Sequence, residues 1–146
     1  MYMNLKKTEI KDLEKIAKNL IEKISNKKTK KAIVLAMHGD LGSGKTTLTQ
    51  KIGEQLGIKN KIISPTFVIM KKYQLKNKRF KKLIHIDAYR LNKKEEMIHL
   101  GWNEIISDNE NIIIIEWPEK IEGLVPKDSI VVKLTHIDND TRGIVF

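Results

Sequence analysis

The stretch Gly39-Asp-Leu-Gly-Ser-Gly-Lys-Thr46 fits the pattern G-x-x-x-x-G-K-[ST]. Residues 32–37 before it (AIVLAM) are apolar on both faces, which predicts a buried strand. Residues 45–56 after it predict a helix that ends at Gly57. In such a context the N–H groups of the loop and the N-terminus of the helix point toward one place and can hold phosphate oxygens. Residues 39–46 are therefore predicted to form a phosphate loop.

The residues of the phosphate loop have different expected roles. Its three glycines permit backbone angles and a close approach that a Cβ would block. We expect Lys45 to reach the β- and γ-phosphates of a nucleotide, and Thr46 to place its hydroxyl on Mg²⁺. Thr47, the next residue of the helix, is placed to contact the α-phosphate side. The predicted nucleotide-binding residues of this segment are Gly39, Asp40, Leu41, Gly42, Ser43, Gly44, Lys45, Thr46 and Thr47.

Two further predicted strands end in a carboxylate. The apolar strand at 111–115 is followed by Glu116, and the strand at 82–86 is followed by Asp87. Ligands of parallel sheets bind at the C-terminal edge of the strands, so both acids resemble the metal-side acid of P-loop proteins. Either acid taken alone could equally be an ordinary acid that caps a loop. With a phosphate loop present, we expect at least one of them in the site.

The base of the nucleotide is indicated by a missing pattern. GTP-binding proteins typically carry N-K-x-D, whereas the Asn-Lys pairs of this sequence continue as NKKT, NKII, NKRF and NKKE. ATP is therefore favoured over GTP.

Helices and strands alternate over the rest of the chain. The further predicted elements are a helix at 8–25 capped by Thr8, a hairpin of two strands at 67–75 and 80–86, a helix at 92–100 capped by Asn92, a strand at 111–117, and a strand at 129–137 followed by a turn at 138–143. Two strands that are apolar on both faces, together with one hairpin, indicate an α/β fold. The expected architecture is one P-loop NTPase-like domain over residues 1–146, a three-layer sandwich with a mixed, mostly parallel central sheet.

Length and composition exclude several classes of protein. The chain has 146 residues, of which 40% are hydrophobic and 32% charged, as in a globular domain. It has no cysteine, which excludes disulfides and thiolate metal sites, and its four histidines show no metal-ligand spacing. The longest apolar run, Ile112 to Ile115, is too short to cross a membrane, and the first ten residues lack the apolar core of a signal peptide. We expect a cytoplasmic protein that does not associate with membranes.

The charge is strongly basic, with 28 Lys and Arg against 18 Asp and Glu, a net charge of +10. Such a balance suits a polyanionic partner, such as nucleic acid or a nucleotide phosphate. However, Lys is spread along the whole chain and Ile is also frequent, so a general compositional bias explains the charge as well. Arginine occurs only at 79, 90 and 142, and each is a candidate for forked contacts that Lys cannot make.

Several segments read together resemble one family, the TsaE (formerly YjeE) P-loop ATPases of bacterial tRNA threonylcarbamoyladenosine biosynthesis. They occur in the family's order and cover most of residues 32–125. The matching segments are GDLGSGKTTLTQ at 39–50, SPTFVI at 64–69, HIDAYRL at 85–91, LGWNEII at 100–106 and IIEWPEKI at 114–121.

The resemblance implies a small Mg²⁺-dependent ATPase with weak activity alone. It would join a complex with TsaB and TsaD homologues and would meet tRNA through that complex. The complex moves a threonylcarbamoyl group onto the adenosine 3′ of the anticodon in ANN-reading tRNAs, and ATP hydrolysis would reset it between turnovers. The implied cofactors are ATP and Mg²⁺.

The resemblance also assigns roles by position. Lys45 and Thr46 would bind phosphate and metal, and Glu116 would be the metal-side acid. Thr66 in SPTF resembles a switch threonine near the γ-phosphate, and Asp87 resembles a second catalytic or switch acid. The implied catalytic residues are Lys45, Thr66, Asp87 and Glu116, the metal-binding residues are Thr46 and Glu116, and the further nucleotide-binding residue is Arg142.

Two other functions compete with this one. A small P-loop kinase acting on a nucleoside or other small molecule usually has an Arg-rich lid, and this sequence has no arginine cluster. A basic binding module would hold nucleic acid and use the phosphate loop only for a structural anion. Two residues also stay open. His85 could orient Asp87 or be an ordinary buried strand histidine, and Trp117 could close the sheet edge or form a lid or partner contact near the nucleotide.

Overall fold

The computed structural model describes residues 6–139 and 141–146. The strands are β1 (Lys6–Glu9), β2 (Ile33–His38), β3 (Met70–Gln74), β4 (Lys82–Asp87), β5 (Asn111–Glu116), β6 (Ile130–His136) and β7 (Thr141–Val145). The helices are α1 (Leu13–Asn26), α2 (Lys45–Gln55), α3 (Lys94–His99) and α4 (Trp102–Ser107). Two 3-10 segments, at Ile10–Asp12 and Pro118–Leu124, complete these elements. None of the helices in the described residues is long and apolar enough to cross a membrane.

The strands form one sheet in the order β1-β7-β6-β2-β5-β4-β3. Four neighbouring strands, β6, β2, β5 and β4, are parallel, whereas β7 and β3 run antiparallel to their neighbours. Since β1 is antiparallel to β7, five of these seven strands run in one direction. The predicted mixed, mostly parallel sheet is confirmed.

The central strands are apolar because both of their faces are covered. In β5, Ile112 and Ile114 pack with α1 and α2 on one face of the sheet. Ile113 and Ile115 pack on the other face with α3, α4 and the 118–124 segment. A parallel sheet with helices on both faces needs this continuous apolar pattern. The two buried clusters confirm the predicted three layers.

The start and the end of the chain differ from the predicted elements for one shared reason. The predicted helix at 8–25 is wrong at its start, since residues 6–9 form β1 and α1 begins at Leu13. The predicted turn at 138–143 is wrong at its end, since Thr141 begins β7. β1 and β7 pair antiparallel, with Thr8 opposite Arg142, so each strand satisfies main-chain groups of the other.

The predicted hairpin is confirmed by the antiparallel pairing of β3 with β4. The predicted helix at 92–100 is confirmed in a shorter form, as α3, but its predicted cap is wrong. The Glu96 carboxylate, and not the Asn92 side chain, accepts the N–H groups of Asn92 and Lys93, at 2.7 and 3.1 Å. A longer acidic side chain in the first turn can reach back to the free N–H groups before the helix.

Candidate nucleotide-binding site

The candidate site lies at the C-terminal edge of the parallel strands. The phosphate loop leaves β2 at this edge and leads into α2. Asp87 and Glu116 are direct neighbours in the register of β4 and β5, and Met37 of β2 pairs with Glu116 on the other side. Adjacent parallel strands thus bring both predicted acids to the loop, as expected for ligand sites of such sheets.

Two glycines of the phosphate loop are required by the local backbone. A Cβ on Gly39 would lie 2.7 Å from the carbonyl oxygen of Leu134 and 2.5 Å from the Ser43 hydroxyl. Gly44 directly precedes α2 with a φ of +103°, a left-handed conformation that favours glycine. The loop can therefore pack against β6 and still turn sharply into the helix.

Lys45 carries a cation that is almost fully enclosed, with an exposed fraction of 6%. Its Nζ donates hydrogen bonds to the carbonyl oxygens of Gly39 and Asp40, the second at 3.0 Å. Nζ also lies 4.4 Å from the ring centroid of Trp117. Burial lowers the pKa of Lys45, and nearby carboxylates, Glu116 first, act in the opposite direction. An anion placed beside this ammonium would favour its charged form.

The second residue of α2 connects the phosphate loop to β5. The Thr46 hydroxyl donates to Oε1 of Glu116 at 3.1 Å. The other oxygen, Oε2, lies 2.5 Å from Nε2 of His85. Glu116 has an exposed fraction of only 3%, so these contacts fix a buried carboxylate at the edge of the site.

Asp87 is held by groups from two segments. Its Oδ2 accepts the hydroxyls of Thr66 at 2.9 Å and Ser64 at 3.3 Å. Its Oδ1 accepts the main-chain N–H of Tyr89 at 3.0 Å. The two hydroxyls are themselves 2.9 Å apart. The carboxylate therefore ties the SPTF segment to the end of β4.

These groups surround one cavity of about 250 Å³. Its lining consists of Leu41, Gly42, Ser43, Gly44, Lys45, Thr46, Thr47, Ser64, Thr66, Asp87, Glu116 and Trp117. Gly39 and Asp40 adjoin it through their carbonyl contacts with Lys45. Arg142 lies in β7 opposite His136, but its side chain is outside the described part of the chain, so its nucleotide contact stays a prediction.

The oxygen atoms of this cavity fit Mg²⁺. One hydroxyl and two carboxylates, from Thr46, Glu116 and Asp87, are hard ligands of the kind that Mg²⁺ prefers. The buried Ser43 hydroxyl, in the phosphate loop, has no hydrogen-bond partner among the residues that the structure describes. Among the described residues, no cluster of three or more His, Cys, Asp or Glu could hold a metal. A Mg²⁺ ion that shares phosphate oxygens needs fewer protein ligands.

Three site residues were missed or left open by the sequence. His85 contacts Glu116 of β5 and not Asp87. Alternation along β4 shows which of its side chains share a face, but it does not show which residues of β5 lie beside them. Ser64, whose hydroxyl contacts Asp87, was not predicted as a site residue, although it lies in the SPTF segment together with Thr66. Trp117 lines the cavity, with a φ of +58° and its ring 5.1 Å from that of Tyr89.

Comparisons with known proteins show which family this chain resembles. Residues 7–144 match the family model described as "Threonylcarbamoyl adenosine biosynthesis protein TsaE". A Haemophilus influenzae protein named "tRNA threonylcarbamoyladenosine biosynthesis protein TsaE" is 36% identical over 116 residues, which cover 80% of this chain and 70% of the relative. A Bacillus subtilis protein with the same name is 35% identical over 126 residues, 86% of this chain and 76% of the relative. The crystal structure of Bacillus subtilis YdiB superimposes with a TM-score of 0.71 and 30% identity, covering 100% of this chain and 86% of that one.

Proposed function

This chain belongs to the TsaE family of threonylcarbamoyl adenosine biosynthesis proteins, and we propose that it is a Mg²⁺-dependent ATPase that serves the threonylcarbamoyladenosine modification of tRNA. Its partners would be TsaB and TsaD homologues, and tRNA would be reached through their complex. ATP binding and hydrolysis by this chain would reset the complex between turnovers. The modified nucleoside would be the adenosine 3′ of the anticodon in ANN-reading tRNAs.

One observation carries the proposal: an ammonium and a hydroxyl from the start of α2 and a carboxylate from the end of β5 meet in one cavity. Lys45 and Thr46 begin α2, and Thr46 is hydrogen-bonded to Glu116 at the end of β5. A triphosphate needs positive charge and main-chain N–H groups, whereas its metal needs oxygen ligands. This cavity offers both sets of groups side by side.

The described residues suggest a division of work. Lys45 would bind the β- and γ-phosphates, while Thr46 and Glu116 would hold Mg²⁺, which when bound neutralises charge on the triphosphate. Asp87 would orient the attacking water, since its carboxylate lines the cavity and is fixed by three hydrogen bonds. Thr66 would report the state of the γ-phosphate to the SPTF segment through its bond to Asp87.

The arginine side chains explain why activity alone should be weak. Arg79 donates to the carbonyl oxygens of Ser25 and Lys27 near the end of α1. Arg90 lies 4.4 Å from the ring centroid of Phe67. No arginine side chain that the structure describes lines the cavity. Charge developing in the transition state would therefore need help from a partner, as with other P-loop enzymes.

A partner would meet an apolar surface beside the site. Phe67 and Val68 are 83% and 64% exposed, and they directly follow Thr66. Ile63, which directly precedes Ser64, and Leu41, which lines the cavity, are also exposed. Exposed apolar residues grouped together are typical of protein-binding surfaces. Because Thr66, which directly precedes Phe67, is hydrogen-bonded to Asp87, nucleotide state and partner binding would be coupled.

The direct test combines hydrolysis with complex formation. We expect slow ATP hydrolysis by the isolated chain, faster hydrolysis with TsaB and TsaD homologues, and co-elution with them that ATP strengthens. Lys45→Ala should abolish all three effects. ATP-independent co-elution that survives Lys45→Ala would contradict the switch, and phosphoryl transfer to a nucleoside acceptor would favour the kinase instead.

Single variants separate the roles of the other residues. Thr46→Ala and Glu116→Ala should weaken hydrolysis more than nucleotide binding, because they remove proposed metal ligands. Asp87→Asn should reduce turnover while leaving nucleotide affinity within about two-fold. Wild-type hydrolysis rates in any of these variants would refute the role assigned to that residue.

A further inference from the structure

His85 is a fully buried histidine next to the candidate site, with an exposed fraction of 0%. In the parallel register of β4 and β5 it lies opposite Ile114. Glu116 is two residues further along β5, and therefore on the same face of the sheet. The Nε2 atom of His85 is 2.5 Å from Oε2 of Glu116. The strand pairing itself thus brings the imidazole to the carboxylate.

The two oxygens of Glu116 have different partners. Oε1 accepts a hydrogen bond from the Thr46 hydroxyl at 3.1 Å, and Oε2 is hydrogen-bonded to Nε2 of His85. The terminal torsion of a glutamate has only a broad preference of its own. Two contacts on opposite oxygens restrict that torsion, so they fix which oxygen faces the phosphate loop.

Packing does not account for a histidine at this position. Leu83, on the same face of β4, and Ile112 and Ile114 of β5 belong to one apolar cluster. The Nδ1 atom of His85 is buried without a hydrogen-bond partner among the described groups. Burying such a nitrogen is unfavourable, whereas an aliphatic side chain would avoid that cost. The contact with Glu116 is therefore what the histidine contributes here.

We infer that His85 is a positioning residue, which holds Oε2 of Glu116 so that Oε1 stays directed toward Thr46. The inference rests on the proposed function, because Thr46 and Glu116 are the groups assigned to Mg²⁺. His85 does not line the cavity, so it acts through Glu116. Partners that orient a ligating carboxylate typically change metal affinity 10- to 100-fold when they are removed.

The test compares three substitutions by calorimetry. The amide nitrogen of His85→Gln extends far enough to donate to Glu116, that of His85→Asn is too short, and His85→Leu has no donor. ADP is titrated in EDTA and at increasing Mg²⁺, which measures binding without hydrolysis. We expect His85→Gln to stay within about three-fold of the wild-type half-saturating Mg²⁺, and His85→Asn and His85→Leu to raise it about ten-fold. Affinity in EDTA should stay within about two-fold for all three.

A double-mutant cycle shows whether His85 acts through Glu116. In a Glu116→Gln background, His85→Leu should have no further effect on the Mg²⁺ requirement, because the carboxylate it positions is gone. His99→Leu is the matched control, since His99 is exposed in the last turn of α3. This control should leave the Mg²⁺ requirement unchanged.

The outcomes distinguish this inference from the proposed function. If wild type binds no ADP with or without Mg²⁺, the proposed nucleotide site itself is wrong. If wild type shows Mg²⁺-strengthened binding but the Gln and Asn variants require equal Mg²⁺, His85 does not position Glu116. Additive effects of His85→Leu and Glu116→Gln would also overturn the inference. If His85→Leu does not fold, the comparison of His85→Gln with His85→Asn still tests whether His85 positions Glu116.

Discussion

At the scale of single residues, Lys45 combines its proposed binding role with a cost to stability. Its ammonium is enclosed by the phosphate loop and the Trp117 ring, and burial lowers its pKa from the ordinary value of 10.5. A lowered pKa means that the folded protein binds this proton less tightly than the unfolded chain does. The buried charge of Lys45 therefore weakens the nucleotide-free fold, a cost that the proposed contact with phosphate would offset.

Lys45→Met should lower nucleotide affinity about 10- to 100-fold and stabilise the nucleotide-free protein at neutral pH. The buried charge of Lys45 lowers the free energy of unfolding of the wild type. This loss is complete below the folded pKa of Lys45 and disappears as pH rises past 10.5, the unfolded pKa. The stability advantage of the variant should shrink over that range in urea unfolding. Lys51→Met, at the surface of α2, is the control that keeps nucleotide binding. A less stable Lys45→Met protein would contradict the argument.

Gly39→Ala should damage the site through packing. Its new Cβ would meet the main-chain carbonyl of Leu134, which cannot rotate away as a side chain could. We expect a loss of about 3 kcal/mol in the free energy of unfolding, together with weaker nucleotide binding. Gly42→Ala is the control, because its Cβ meets open space and only its φ of +79° is unfavourable, at about 1 kcal/mol. Equal losses in both variants, measured by urea unfolding, would refute the packing argument.

Local pattern explains which site residues the sequence could predict. The phosphate loop and the acids at 87 and 116 follow from short motifs and from where apolar strands end. The contact of His85 with Glu116 depends on how β4 and β5 align, and no local pattern contains that register. The hydrogen bonds of Ser64 and Thr66 to Asp87 likewise join segments that are distant in the chain.

At the scale of elements, α3 shows how one acid can determine a helix start. The Glu96 carboxylate accepts two main-chain N–H groups, and these bonds lower its pKa. Such bonds favour the charged form, so their contribution to stability is present above the unfolded pKa and is lost as pH falls through the lower, folded value.

Glu96→Gln should therefore reduce stability at neutral pH by a small amount. The difference from wild type should vanish in acid, once Glu96 is protonated in both the folded and the unfolded state. Urea unfolding at several pH values measures this difference. Glu95→Gln, exposed in the same turn, is the control and should have a smaller effect at neutral pH. Identical behaviour of the two variants would show that Glu96 does not cap α3.

The pairing of β1 with β7 marks the limit of prediction for elements. The apolar spacing after Thr8 is helical, and the chain does become helical at Leu13. Residues 6–9 instead join a sheet edge formed by the other end of the chain. Backbone hydrogen bonds to a distant strand override a local helical pattern, and a sequence window cannot show them.

At the scale of the whole molecule, the sheet connects two buried clusters into one unit. Leu20 of α1 belongs to the cluster on one face, and Trp102 of α4 belongs to the cluster on the other. The apolar strands predicted these layers, because a sheet that is apolar on both faces must be covered twice. The order of the strands could not be predicted, since it depends on contacts between distant segments.

Leu20→Ala should destabilise the whole molecule by about 2–5 kcal/mol, because Leu20 is fully buried. Tryptophan fluorescence, which reports the opposite face through Trp102, should shift to lower urea together with far-UV circular dichroism. Glu22→Ala, on the exposed part of α1, is the control and should change little. A fluorescence transition that stays at its wild-type position would show that the two faces unfold independently.

The central claim is that the phosphate loop and two strand-end acids form one Mg·ATP site. Calorimetric titration with a non-hydrolysable ATP analogue, with and without Mg²⁺, tests it most directly. We expect one binding site per chain, tighter binding with Mg²⁺, an affinity about 10- to 100-fold lower in Lys45→Met, and a higher Mg²⁺ requirement in Glu116→Gln. Absence of binding heat in wild type, or binding that neither substitution alters, would contradict it.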